Sequence, residues 1–143
     1  MSAIIRPFAA ADTGDMSALM ADLGYPSTPE QVAERMRSMS ADYYHTLVAE
    51  VDGRVVGFIG VIVLPVYEYS IPVGWILALS VAEGHRRKGI GKALIAAAED
   101  GLRSRGIEDV RLHSGLQRDD AHEFYTRLGY DKTGYRFKKR LLP

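Results

Sequence analysis

The chain has 143 residues, which at ~150 residues per typical domain predicts a single domain over residues 1–143. With 47% hydrophobic and 25% charged residues it has the composition of an ordinary globular protein and not of a disordered one; having no cysteine, it excludes disulfide scaffolds, thiolate-held zinc and thiol catalysis. Basic and acidic groups balance at 18 each, which argues against a protein that coats nucleic acid or an anionic membrane.

Ala3-Ile4-Ile5-Arg6-Pro7-Phe8 reads as a short edge strand closed by proline, and Ala9 to Leu23 as a helix with Met16, Leu19, Met20 and Leu23 on one face, broken by Gly24-Tyr25-Pro26. Thr28, Pro29 and Gln31 form an N-cap, a proline first turn and a capping-box partner, so a second helix runs to about Met39 with Val32, Met36 and Met39 inward. Asp52-Gly53 makes a tight turn between strands Thr46–Val51 and Val55–Leu64. Val73 to Val81 has no charge, as in a strand covered on both faces. Gly89 to Arg105 is helical with Ile90, Leu94, Ala97, Ala98 and Leu102 on one face, and Gly106 stops it. Val110 to Ser114 follows as a strand, and a right-handed crossover pairs it parallel to Val73–Val81. Asp119 or Asp120 caps a last helix with Ala121, Phe124, Tyr125 and Leu128 inward, and a final strand runs through Tyr135-Arg136-Phe137. The apolar stretch from Val55 to Val66 is far short of the ~20 residues a membrane span needs, Arg6-Pro7 does not fit a signal peptide, and the cytoplasm is the expected compartment.

The chemistry lies between the apolar strand and the helix after it. Arg86, Arg87, Lys88 and Lys92 surround Gly89 and Gly91 where a helix N-terminus collects unpaired N–H groups and the positive end of its dipole. Such a turn binds phosphate. A solvated basic helix start is the plainer reading of the same residues. A Walker loop is excluded because Ala93 follows Gly91-Lys92 and the upstream glycine is missing, and a dinucleotide G-x-G-x-x-G is absent. The charge is also unevenly spread. Residues 1–70 hold four basic and nine acidic groups, whereas residues 71–143 hold fourteen and nine, so an anion is drawn to the second half and a cation to the first.

Arg86-Arg87-Lys88-Gly89-Ile90-Gly91 resembles the acetyl-CoA signature [Q/R]-x-x-G-x-[G/A] of the GNAT acetyltransferase superfamily, and Ala121 to Tyr130 resembles the A-x-x-F-Y-x-x-x-G-[F/Y] element of its last helix. The resemblance implies an α/β GNAT fold, with a mixed central sheet of six to seven strands, helices on both faces and two parallel central strands that splay apart. Acetyl-CoA would be the co-substrate, its pantetheine arm on the backbone near Leu79 and Val81 and its diphosphate on the amides of Arg87, Lys88, Gly89, Ile90, Gly91 and Lys92, with Arg86 nearby. Tyr125 would protonate the departing thiolate, although periodicity alone also allows a packing role for it. Where many relatives carry an acidic base, Leu77 and Ala78 stand here, and Glu83 lies too far along the turn. His113, Glu68, His122 or a water chain remain as the route for the amine proton.

By the same resemblance the acceptor would meet Leu23-Gly24-Tyr25, Glu30, Glu34, Tyr67, Glu68, Tyr69 and Trp75, acids and aromatics that suit a small-molecule amine cation. Glu30 and Glu34 also fit a merely solvated helix face. Arg118 to Tyr125 and Tyr135-Arg136-Phe137 look like small-molecule acetylating members, aminoalkylphosphonate acetyltransferases among them, with Arg118 departing from the commoner Asn. A homodimer is compatible with this reading, and so is an acetyl-CoA-binding sensor without turnover. A nucleic-acid module built on Lys138-Lys139-Arg140 is disfavoured, because no stacking aromatics interleave those residues.

Overall fold

The structure is a computed structural model that describes residues 2–114 and 119–143. It falls into two units, residues 1–112 and 113–143.

The first unit is built on five strands, β1 (Ile4–Pro7), β2 (Tyr44–Val51), β3 (Arg54–Leu64), β4 (Val73–Val81) and β5 (Val110–Leu112), which lie side by side in chain order. The first three pairings are antiparallel and β4–β5 is parallel. Pro7, which has no N–H to give a ladder, sits at the end of edge strand β1. The β2–β3 turn puts Asp52 and Gly53 at φ 51° and 78°, the two left-handed residues of a hairpin turn whose twist matches its strands.

Three helices cover this sheet. α1 (Thr13–Leu23) and α2 (Pro29–Ser38) pack together, with α1 against β3 and β4, and their core joins Met16, Leu19, Val32, Val48, Val55 and Phe58. The α2 capping box forms in full: the Gln31 N–H donates to Thr28 Oγ1 at 3.1 Å and the Thr28 N–H to Gln31 Oε1 at 3.0 Å. α3 (Ile90–Ser104) packs on β2, β3 and β4 through Ile90, Leu94, Ile95, Ala98 and Leu102. Gly57 makes that approach possible, because a Cβ there would sit 3.2 Å from Leu94 Cδ1 and 3.1 Å from the Ser80 carbonyl oxygen. On the opposite face the buried Ser80 donates its Oγ hydrogen bond to the Leu19 carbonyl at 3.2 Å, tying α1 to β4.

Arg6 binds Asp12 with both Nη atoms at 2.8 Å and Glu50 through Nε at 3.0 Å, while Asp12 also accepts from the Ala9 N–H. The buried Asp12 carboxyl is therefore held below its ordinary pKa, first by the Arg6 hydrogen bonds. Arg54 does the same for Asp15. His45 on β2 is pushed below its usual value by burial and then by the Arg105 charge.

The second unit contains α4 (Asp119–Arg127), with the Ala121 N–H bonded to the Asp120 carboxylate at 2.9 Å and Gly129 at φ 91° closing the helix.

Several sequence expectations need correction. The sheet has five strands, not six or seven, because residues 130–143 form neither helix nor strand. A strand requires a partner backbone, and Tyr135 and Phe137 stand exposed in a segment that has none among the described residues. β5 ends at Leu112 and not at Ser114. Met39 is exposed where the last turn of α2 was expected to bury it, and Ile95 replaces Ala97 among the fully buried residues of α3.

Candidate active site

Strand β4 has two partners but is not in one phase along its length. The Gly74 N–H donates to the Asp109 carbonyl, so at this end the even-numbered residues turn their peptide groups toward β5. At the other end the Ala82 N–H donates to the Val56 carbonyl, so there the even-numbered residues turn toward β3. The switch lies at a β-bulge: Gly60 faces Ala78 and Val61 faces Ile76, which leaves Leu77 as the extra residue. Parallel pairing with β5 stops at Ile76–Leu112. Beyond that last pair Leu79 and Val81 present their N–H and C=O groups to an edge that no strand occupies among the described residues. These are the two residues expected to hold the pantetheine arm, and the bulge turns their peptide groups, and not those of Ala78 and Ser80, toward that edge.

The chain then turns through Glu83–His85 into the basic loop. Arg87 and Gly89 both adopt left-handed backbone, at φ 62° and 80°, with Lys88 between them. Successive amides in such alternating conformations form a concave anion-binding surface. Gly89 is the N-cap of α3 and has no side chain to cap with; the first turn holds no acidic residue, and the first helical bond runs from the Ala93 N–H to the Gly89 carbonyl. The amides of Ile90, Gly91 and Lys92 are thus left to a ligand or to water. Arg87, Lys88 and Lys92 are exposed around them, whereas Ile90 is buried as an anchor of the helix start. Unlike α2, which closes its own N-terminus, α3 combines a bare positive dipole end with cations, an arrangement that is unfavourable until an anion arrives.

Arg86 has a more structural position than the sequence suggests. Its Nε donates to the Val81 carbonyl at 2.9 Å, so it bridges the open edge of β4 to the loop.

In the second unit Tyr125 is half-buried in α4, edge-on to Phe124 with ring centroids 5.3 Å apart and to Tyr130 at 6.0 Å. Its backbone carbonyl accepts from the Leu128 and Tyr130 N–H groups, which fixes the helix end around it. His113 is exposed just past β5, and His122 is half-buried. Arg118 lies outside the described residues. Of the acceptor-side residues, Tyr25, Glu30, Glu34, Tyr67, Glu68 and Tyr69 are exposed and Trp75 is half-buried. Among the described residues no group of three His, Asp or Glu is placed to hold a metal ion, and no helix is long and apolar enough to cross a membrane.

Sequence reasoning missed the bulge, the left-handed Arg87 and the stacking of Arg111 on Trp75, where the guanidinium carbon lies 5.6 Å from the ring centroid. No local composition announces the first two; the third needs the parallel register of β4 and β5.

The sequence profile of the acetyltransferase (GNAT) family matches residues 16–130, and the chain belongs to that family. Over 97 residues it is 36% identical to an aminoalkylphosphonate N-acetyltransferase of Salmonella typhimurium, a stretch covering 68% of this chain and 63% of that protein. Matches to curated relatives cover between 40% and 63% of those proteins' lengths. A solved GNAT family acetyltransferase of Staphylococcus aureus superposes with a TM-score of 0.85 at 28% identity, covering 99% of this chain and 100% of that one. An aminoglycoside N-acetyltransferase in complex with CoA shares the fold, with a TM-score of 0.86 at 20% identity over 96% of this chain and 93% of that one.

Proposed function

We propose that residues 1–143 act as one N-acetyltransferase domain that transfers the acetyl group of acetyl-CoA to a primary amine of a small molecule by direct attack in a ternary complex. The observation that carries this reading is the continuity of the open Leu79–Val81 edge with the uncapped, cation-ringed start of α3. An extended amide-bearing arm fits the first and a diphosphate fits the second. Acetyl-CoA supplies an activated thioester carbonyl; the residues that would hold it are Leu79, Val81 and Arg86 to Lys92.

The chain's own part is then positioning and proton traffic. Amides at the bulge are candidates to stabilise the oxyanion of the attacked carbonyl. Tyr125, with a phenol whose reference pKa is near 10, gives a proton to the leaving thiolate. The amine proton leaves through His113, His122, Glu68 or water. Small-molecule amines are the acceptor class favoured by the relatives that act on aminoalkylphosphonates and aminoglycosides and by the acids and aromatics of the first half. Action in the cytoplasm and assembly as a homodimer complete the proposal.

The test is free-thiol release from acetyl-CoA in the presence of a panel of amines. Amine-dependent thiol release supports the enzyme. Tight CoA binding without release on any amine would favour a non-catalytic sensor instead.

A further inference from the structure

Cross-strand register assembles a row on one sheet face that ends in Arg111, a residue given no role in the reaction described above. Tyr44 pairs with Ile62, Ile62 with Trp75, and Trp75 with Arg111. The face is the one turned to α1 and α2, because a Cβ on neighbouring Gly74 would run into Leu102 of α3 on the other side. Trp75 and Arg111 lie one residue before Ile76–Leu112, the last pair of β4 with β5.

The guanidinium is prepared for a ligand. It stacks over the Trp75 ring, and its Nε donates to Asp109 Oδ2 at 3.1 Å. Two contacts thus fix the plane, and the two Nη groups keep no hydrogen-bond partner among the described residues. The side chain is 33% exposed. A planar fork held in this way matches a carboxylate, phosphonate or phosphate.

Asp109 pairs with this guanidinium, so the pair offers a simple alkylammonium no net charge. An acceptor whose acidic group meets the two Nη donors gains a charge-assisted hydrogen-bonded pair that an alkylammonium lacks.

We propose that Arg111 selects acceptor amines bearing an acidic group two or three carbons from the nitrogen, the guanidinium holding that group while the amine reaches the end of the β4–β5 pairing. The inference rests on the acetyltransferase reading above.

The test compares propylamine, β-alanine and 2-aminoethylphosphonate, three primary amines of similar size, in wild type, Arg111→Gln and Arg111→Lys. In wild type at least one acid-bearing amine should have kcat/KM about 10-fold or more above propylamine, of the size expected for one charge-assisted hydrogen-bonded pair. Arg111→Gln should bring the ratio close to one, mainly by raising KM for the acid, and Arg111→Lys should recover part of it. Preference for only one of the two acids would tell carboxylate from phosphonate. Turnover with propylamine but no acid preference, or a preference that survives Arg111→Gln, overturns the role of Arg111 and leaves the enzyme intact. Amine-independent thiol chemistry in every arm would remove both readings together, and calorimetric binding of the acids to the CoA complex of each variant tells the two failures apart.

Discussion

Gly89 and Gly53 provide a matched pair for testing where the diphosphate binds. Their φ angles are 80° and 78°, and at both a Cβ would meet nothing within 4 Å. Alanine at either position therefore costs only the left-handed backbone, about 1–2 kcal/mol, or a fall in Tm of about 3–8 °C for a chain of this size. Gly53 sits in the β2–β3 hairpin turn, whereas Gly89 caps α3 amid the basic loop. If an anion fills the space in front of the α3 amides, the methyl of Gly89→Ala stands in that space and displaces at least one charge-assisted hydrogen bond. Such bonds contribute about 1.5–3 kcal/mol, so CoA should bind about 10- to 150-fold more weakly to Gly89→Ala and unchanged to Gly53→Ala. Isothermal titration of CoA and a melting curve on both variants give the comparison. Equal CoA affinities in two equally destabilised variants would refute the placement, and an undiminished Tm in Gly89→Ala would refute the left-handed cap itself.

Tyr125→Phe should lower turnover by about 10²- to 10⁴-fold, the range of general acid catalysis, with CoA affinity nearly unchanged; wild-type single-turnover rates would leave Tyr125 as packing against Phe124 and Tyr130. Lys92→Ala should weaken CoA about tenfold and flatten its salt dependence, as loss of an exposed phosphate contact does. Arg86→Ala should weaken CoA with the salt slope retained, because the bond lost is the one to the Val81 carbonyl; a flattened slope in Arg86→Ala would instead assign it to phosphate. The lowered pKa of Asp12 means that its unfolded form binds protons first as pH falls. Its contribution is complete above about pH 4 and is lost below, so Asp12→Asn should be less stable than wild type at pH 7, by about 1–3 kcal/mol, with the gap closing as pH falls further in urea titrations. His45, also lowered, should add a milder loss of stability that begins as pH falls through about 6.5.

Most of the first unit could be read from spacing. The Thr28-Pro29-Gln31 signal became a complete capping box, and Asp52-Gly53 the expected turn, because each is decided within four residues. The start of α3 after Gly89 was legible for the same reason. The sheet's extent was not, since Tyr135-Arg136-Phe137 has the residues of a strand but a strand exists only with a partner. Met39 illustrates a second limit, where periodicity continues past the point at which the helix stops packing. Arg111 lay beyond reach because its neighbour Trp75 is 36 residues away and only register brings them together.

The extra residue at Leu77 gives β4 two mutational grammars. On the α3 face the strand places Gly74 and Ile76 before the bulge and Leu79 and Val81 after it, so the parity of positions that tolerate polar side chains should invert within a single strand. Deleting Leu77 would restore strict alternation. It would also exchange the peptide groups offered to that open edge and slide Ser80 off Leu19, coupling the edge and core packing in one lesion. Substitutions at Leu77, by contrast, should be permissive for folding, since that residue is 58% exposed and belongs to neither register. A position that is costly to remove but cheap to change is one where the backbone count, and not the side chain, carries the information.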